Sequence, residues 1–376
     1  ISAFINMLAE ISRNHGINKV DFYYSVLRAY QEMNDNYFDI LEKSVENFRK
    51  IFEINKITSP NATLLEDILT NFYSIKTKHF PEQHHEIDNL IAGFSAKNKT
   101  LFINPKATEE EKAFVFAREI AFLFLQLKER SFSEPALEVK SFNQILNDYK
   151  ASYWAAALLI NKDILTDRLT YFFASPRWDS HTLLTIMQLF KASPEVFFNR
   201  MSGLMTNHFK VNNFLLMVIS KNIDLPIYEL TKELQFSYLP TTNETKQMEH
   251  YCRRWVSLKI LDQPISFFQN KNTPICHAQV SIYENLNKNY LMFSMTNFSE
   301  INNLKHTSSS IGFEIDDNLK TVINFLNDPL LKTVQVNQTC ERCNITDCNE
   351  RVVPASTLNK NEVIKRKIQV LKSIIE

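Results

Sequence analysis

With 376 residues and 42 basic side chains against 42 acidic ones, the chain is too long for one compact core, and its zero net charge argues against a domain that grips a phosphate backbone by bulk charge. A hydrophobic content of 44 % excludes wholesale disorder, and five cysteines are too sparse for a disulfide scaffold. Four glycines, with no G-x-G-x-x-G or P-loop pattern, leave little for phosphate-cradling loops.

In chain order, residues 1–58 read as helices, with Phe4, Met7, Leu8 and Ile11 at helical spacing. Pro60, in Ile57-Thr-Ser-Pro60-Asn-Ala, breaks that pattern. Leu90–Phe94 and Thr100–Ile103 are predicted as a strand pair joined by the polar turn Ser95–Lys99. Thr108-Glu-Glu-Glu111 is a capping box, Thr108 being the N-cap and Glu111 its partner three residues on. The helix it opens carries a core-facing stripe of Ala113, Phe116, Ala117, Ile120, Ala121 and Phe124. A second apolar helix is expected from Asp148 to about Ile160, and Ser193-Pro194 begins a third. From about residue 236 the segments Trp255–Leu261, Ala278–Tyr283 and Tyr290–Met295 are short and rich in β-formers, which predicts a small antiparallel sheet. A last helix spans Asn361–Ile375, basic on its solvated side. The densest apolar stretches, Ala121–Leu125 and Trp154–Ile160, fall far short of the roughly 20 residues of a membrane span. The expectation is a cytoplasmic α+β protein, predominantly helical, that does not engage a membrane. Its start at Ile1 rather than Met points to a piece of a longer chain.

The sharpest local signal is Cys340-Glu-Arg-Cys343-Asn-Ile-Thr-Asp-Cys348. Two cysteines separated by two residues reach one metal centre from a single turn, and the longer gap lets the third close the site. Zinc and iron–sulfur clusters both take four ligands, commonly thiolates, so a fourth must come from elsewhere, and Cys252 and Cys276 are the only other cysteines. Unligated thiols remain a third reading of the same spacing.

A second signal is negative. Phe114-Val-Phe-Ala-Arg118-Glu119-Ile-Ala-Phe122 has the shape of a zinc-protease helix, in which His-Glu-x-x-His puts two imidazoles on one face. Here the ligand positions hold Arg118 and Phe122, neither of which offers zinc a lone pair. Glu119 remains, but a general base without metal-activated water has nothing to act on, and no catalytic residue is assigned. His84-His85-Glu86 reads as a polar loop, and Arg253-Arg254 beside Trp255 as a solvated edge.

Together these pieces resemble bacterial regulators that join an XRE-type helix-turn-helix, an ImmA/IrrE-like domain and a C-terminal cysteine domain. They are often called short-chain fatty-acyl transcriptional regulators, and they include controllers of propionate and acetate metabolism. Phe116–Phe124 sits where peptidase members show the zinc helix, with Asp148 at the third-ligand position. Asp148-x-x-Ala151-x-x-Trp154-Ala155 and Phe190-Lys-Ala-Ser-Pro-Glu-Val196 with Arg200 resemble the segments that follow. Cys252-x-x-Trp255 is similar to a Cys-Pro-x-Trp motif with Arg253 in place of the proline, and Cys340-x2-Cys343-x4-Cys348-x2-Arg351 matches the family's cysteine run. One departure is Ile311-Gly312-Phe313-Glu314, where many relatives carry Gly-x-Gly-Cys before an acidic residue.

The resemblance implies three parts: a helical connector over 1–58, a degenerate zincin-like ImmA/IrrE domain over 59–235, and a sensor domain over 236–376. It implies Cys252, Cys340, Cys343 and Cys348 as ligands of an iron–sulfur cluster of the four-iron type, with zinc as the alternative, and Cys276 as spare. It further implies a short-chain acyl-coenzyme A effector, promoter DNA bound through a helix-turn-helix ahead of residue 1, and a homodimer. The rival expectations are an active ImmA/IrrE-type zinc metallopeptidase and a zinc-stapled interaction module.

Overall fold

The computed structural model describes residues 4–5, 7–9, 18–81, 84–222, 225, 227–236, 249–263, 274–283, 286–297, 301 and 305–375. Ile11 lies outside them. The chain forms two compact units, one comprising Ile1–Ser175, Asp179–Asn212 and Asn297–His306, the other Pro176–Trp178, Asn213–Thr296 and Thr307–Glu376.

The first unit holds α1 (Lys19–Glu32), α2 (Asp39–Ile51), α3 (Ala62–Asn71), β1 (Lys76–His79), β2 (Ala92–Ser95), β3 (Thr100–Ile103), α4 (Glu109–Phe124), β4 (Ser133–Glu134), α5 (Phe142–Leu159), α6 (Lys162–Ala174), α7 (Ser180–Leu189) and α8 (Pro194–Asn207). The break at Pro60 holds: Asn61 caps α3 by accepting from the Leu64 amide. The capping box is formed, the Thr108 hydroxyl accepting from the Glu111 amide at 3.2 Å and the Glu111 carboxylate from the Thr108 amide at 2.9 Å. Ser193 caps α8 with Pro194 in its first turn. One boundary differs: α5 begins six residues before Asp148, because Ser141 accepts from the Gln144 amide and sets the start.

The strands form a four-stranded sheet in the order β1-β3-β2-β4, with β1 parallel to β3 and the β2–β3 and β2–β4 pairs antiparallel. Small residues let α4 and α5 approach, since Ala117, Ala121, Ala151 and Ala155 are all inaccessible. Trp154 is fully buried and meets Phe48 of α2 edge-on, with ring centroids 5.0 Å apart. Its indole donates to Ser44, 3.1 Å away.

The second unit contains β5 (Phe214–Asn222), β6 (Tyr228–Gln235), the short helix α9 (Val256–Lys259), β7 (Cys276–Tyr283), β8 (Lys288–Asn297), β9 (Lys305–Glu314), α10 (Asp317–Val322), β10 (Lys332–Gln335) and α11 (Ser356–Ile375). Its sheet is larger than expected, six strands in the order β10-β7-β8-β9-β5-β6, and is mixed because β10 runs parallel to β7. β5 and β6 belong to it, so the sheet begins ahead of residue 236. Trp255–Leu261 is helical rather than extended. Its apolar residues Trp255, Val256, Leu258, Ile260 and Leu261 are all buried, and so short a run does not distinguish the two periodicities.

The core of this unit gathers Leu215, Met217, Ile219, Cys252, Trp255, Leu258, Tyr290 and Met292. Gly312 packs closely there: a β-carbon would stand 2.2 Å from the Met292 sulfur, so that side chain would have to shift. Among the described residues no helix is long and apolar enough to cross a membrane.

Candidate metal centre

The cysteine site is assembled by main-chain pairing. Tyr251 forms an isolated antiparallel bridge with Thr339. On either side, the Cys252 amide donates to the Gln338 carbonyl (3.1 Å) and the Cys340 amide to the His250 carbonyl (2.8 Å). Cys252 and Cys340 therefore stand diagonally across this bridge, and alternation along extended backbone puts both on one face. The Trp255 indole donates to the Asn337 carbonyl at 2.8 Å and locks the register. The Cys343 amide donates to the Cys340 carbonyl at 3.3 Å, closing the two-residue turn between them.

Arg351 holds the rest of the loop. Its guanidinium donates to the carbonyls of Cys340 (2.8 Å), Cys343 (3.1 Å) and Ile345 (2.7 Å), while its own amide donates to Cys348 (3.2 Å). The buried Glu341 accepts from the His250 amide and stands 2.8 Å from His250 Nδ1. Glu341 O accepts the Thr357 and Leu358 amides at the start of α11. Glu249 receives Arg342 Nε at 2.9 Å and the Thr339 hydroxyl at 2.6 Å.

Cys252, Cys340 and Cys343 are buried and Cys348 is partly so. No disulfide links any of the five cysteines. Burial pushes the Cys252 thiol up to about 11, and the neighbouring Cys343 and Cys340 sulfurs push the same way, against hydrogen bonds from the Asn337 and Arg254 backbone. The Cys340 and Cys343 sulfurs are thus close enough to oppose the ionisation of Cys252. As placed, however, no three His, Cys, Asp or Glu side chains among the described residues converge on a point that would hold one metal ion. Cys276 opens β7 opposite Met295. The donor chemistry suits a soft, sulfur-preferring centre: Cys252, Cys340 and Cys343 are buried, and the carboxylate next to Cys340 in the chain, Glu341, is engaged with His250.

The helix resembling a protease helix is α4. Arg118 donates to Glu134 on β4 and lies 3.4 Å from Asp148 on α5. Arg130 grips Glu119 with two bonds, of 2.7 and 2.6 Å, and its guanidinium stacks 3.7 Å above the Phe122 ring. Ser131 donates to Asp148 through both its amide (3.1 Å) and its hydroxyl. All of these groups but Asp148 line a small cleft that also includes Phe94 and Phe132. Burial lowers Arg118 to about 10, resisted chiefly by Asp148. Arg130 and Glu134 carry no local motif, and only folding reveals them.

Other residues noted in the sequence lie elsewhere. His84 and Glu86 are exposed, and the His85 side chain is outside the described set. The Arg253 guanidinium covers the Tyr228 ring at 4.1 Å, and Arg254 donates to the Gln335 carbonyl at 3.4 Å.

Residues 68–202 match the family described as the IrrE N-terminal-like domain. The chain carries an IrrE-like domain. That match takes in β1 through most of α8, including Arg118, Glu119 and Asp148. A solved structure of a Mycobacterium tuberculosis transcriptional regulator is similar at a TM-score of 0.60 and 15 % identity, over 88 % of this chain and 94 % of that one. At that identity the likeness speaks for the fold. No curated protein matches the chain in sequence.

Proposed function

We propose that the chain is the sensing region of a bacterial transcription regulator, with an iron–sulfur cluster held by Cys252, Cys340, Cys343 and Cys348. In this reading a short-chain acyl-coenzyme A is the effector, a homodimer is the working form, and promoter DNA is contacted by a helix-turn-helix outside residues 1–376. The supporting observation is the shared buried neighbourhood of Cys252, Cys340 and Cys343 across the Tyr251–Thr339 bridge. The resemblance of the cysteine run contributes Cys348, the effector and the dimer.

When bound, such a centre supplies positive charge that favours the thiolates, and a redox-sensitive cross-link between residue 252 and the 340–348 loop. The chain's own part is positional. The bridge sets Cys252 beside Cys340, Arg351 holds the loop carbonyls, and burial keeps water from the Cys252, Cys340 and Cys343 sulfurs. An effector shifts the regulator only through unequal affinity for its two states.

The IrrE-like domain is proposed to have no peptidase activity. At its ligand positions stand a guanidinium and a phenyl ring, and Glu119 is neutralised by Arg130. Cleavage that requires Glu119 in a zinc-supplemented assay would restore the peptidase reading.

Anaerobic purification with iron, zinc and acid-labile sulfide quantified together tests the central claim. Brown protein containing iron and sulfide, bleached by Cys343→Ser, is expected. Zinc alone would favour the stapled interaction module, and neither metal would remove the centre from the account.

A further inference from the structure

The IrrE-like domain departs from a metal site in one informative way. Three carboxylates from three elements, Glu119 of α4, Glu134 of β4 and Asp148 of α5, gather around the guanidinium of Arg118. Arg118 is only 9 % exposed. A second cation, Arg130, is committed to Glu119 by two short bonds. Arg118 Nε is buried with no hydrogen-bond partner, so one donor of the side chain is left unsatisfied. What holds it in place is charge: it binds Glu134 directly and Asp148 at 3.4 Å.

We infer that the Arg118 guanidinium is a built-in counter-cation, which gives this cleft the electrostatic balance that a divalent ion gives a metallopeptidase. The cluster carries three carboxylates against two guanidinium groups. Without Arg118 it would carry three against one, leaving two negative charges at a largely buried site. Uncompensated buried charge is strongly unfavourable, and a hard divalent cation with oxygen ligands has the charge to offset it. The native cleft is accordingly closed to metal, and removing one side chain opens it. Phe122 is not part of the balance, since it offers no charge.

Manganese(II) separates this cleft from the cysteine loop because it prefers oxygen to sulfur donors. Loss of the free-ion electron paramagnetic resonance signal on titration counts the ions bound by the full chain. Native protein and Arg118→Lys are expected to take up no ion in the cleft. Arg118→Ala is expected to take up one equivalent more, and Arg118→Ala with Asp148→Asn to lose it again. If Arg118→Ala does not fold alone, manganese in the folding buffer is expected to restore native circular dichroism. The inference is overturned if folded Arg118→Ala gains no ion, if manganese fails to rescue an unfolded variant, or if the native chain already binds an ion that Asp148→Asn abolishes.

Discussion

Glu42 and Arg200 form a doubly hydrogen-bonded pair whose side chains are only 4 % and 2 % exposed. The Tyr153 hydroxyl donates to the same carboxylate at 2.7 Å. Burial pushes the Glu42 carboxyl up, but Arg200 outweighs it and holds the group below its ordinary 4.5. Arg200→Ala strands that carboxylate, and breaking a buried pair costs about 3–5 kcal/mol. Urea denaturation is expected to show a loss of that size, while Arg200→Ala with Glu42→Ala loses less than the two single changes added together. The pH sign follows from the depressed value. Stability from Glu42 is present above its unfolded pKa and disappears as pH falls through the lower folded one. Glu42→Gln is therefore expected to flatten the acid limb of the stability profile below about pH 4.5, the carboxyl's ordinary value.

Elements here are held by their ends as much as by their faces. The Thr108–Glu111 box satisfies two backbone donors at the start of α4, the helix that presents Arg118 and Glu119. Thr108→Ala is expected to cost about 1 kcal/mol, seen as a lower urea midpoint with the slope unchanged. The 340–348 loop has a different anchor. It depends on one guanidinium reaching three carbonyls, a fork that a lysine ammonium does not reproduce. Arg351→Lys is expected to lower both the melting temperature and the metal recovered per chain, whereas Arg254→Lys, which touches one carbonyl, leaves both near native. Equal metal content in the two variants would remove Arg351 from the role of loop anchor.

At the scale of the molecule, the chain has two compact units. Calorimetry is expected to resolve two transitions. Anaerobic removal of iron should move only one of them, since the proposed ligands all belong to the second unit. A single transition that moves as a whole would mean that the two units unfold together.

Local chemistry accounts for what sequence alone determined. The Pro60 break, the Thr108 box, the Ser193-Pro194 start and strands β2, β3, β7 and β8 each depend on a few adjacent residues and their periodicity. So does the loss of both imidazoles from α4, because Arg118 and Phe122 lack metal-binding lone pairs in any fold. Trp255–Leu261 was not legible, since a short apolar run fits two periods equally. The recruitment of β5 and β6 into the second sheet depends on partners far along the chain. Tertiary structure alone decided that Cys252 stands across a bridge from Cys340, and that Glu134 and Arg130 complete the cluster around Arg118. Such pairings are set by which distant backbone and charge partners a fold brings together once its core is buried, and local spacing carries no record of them.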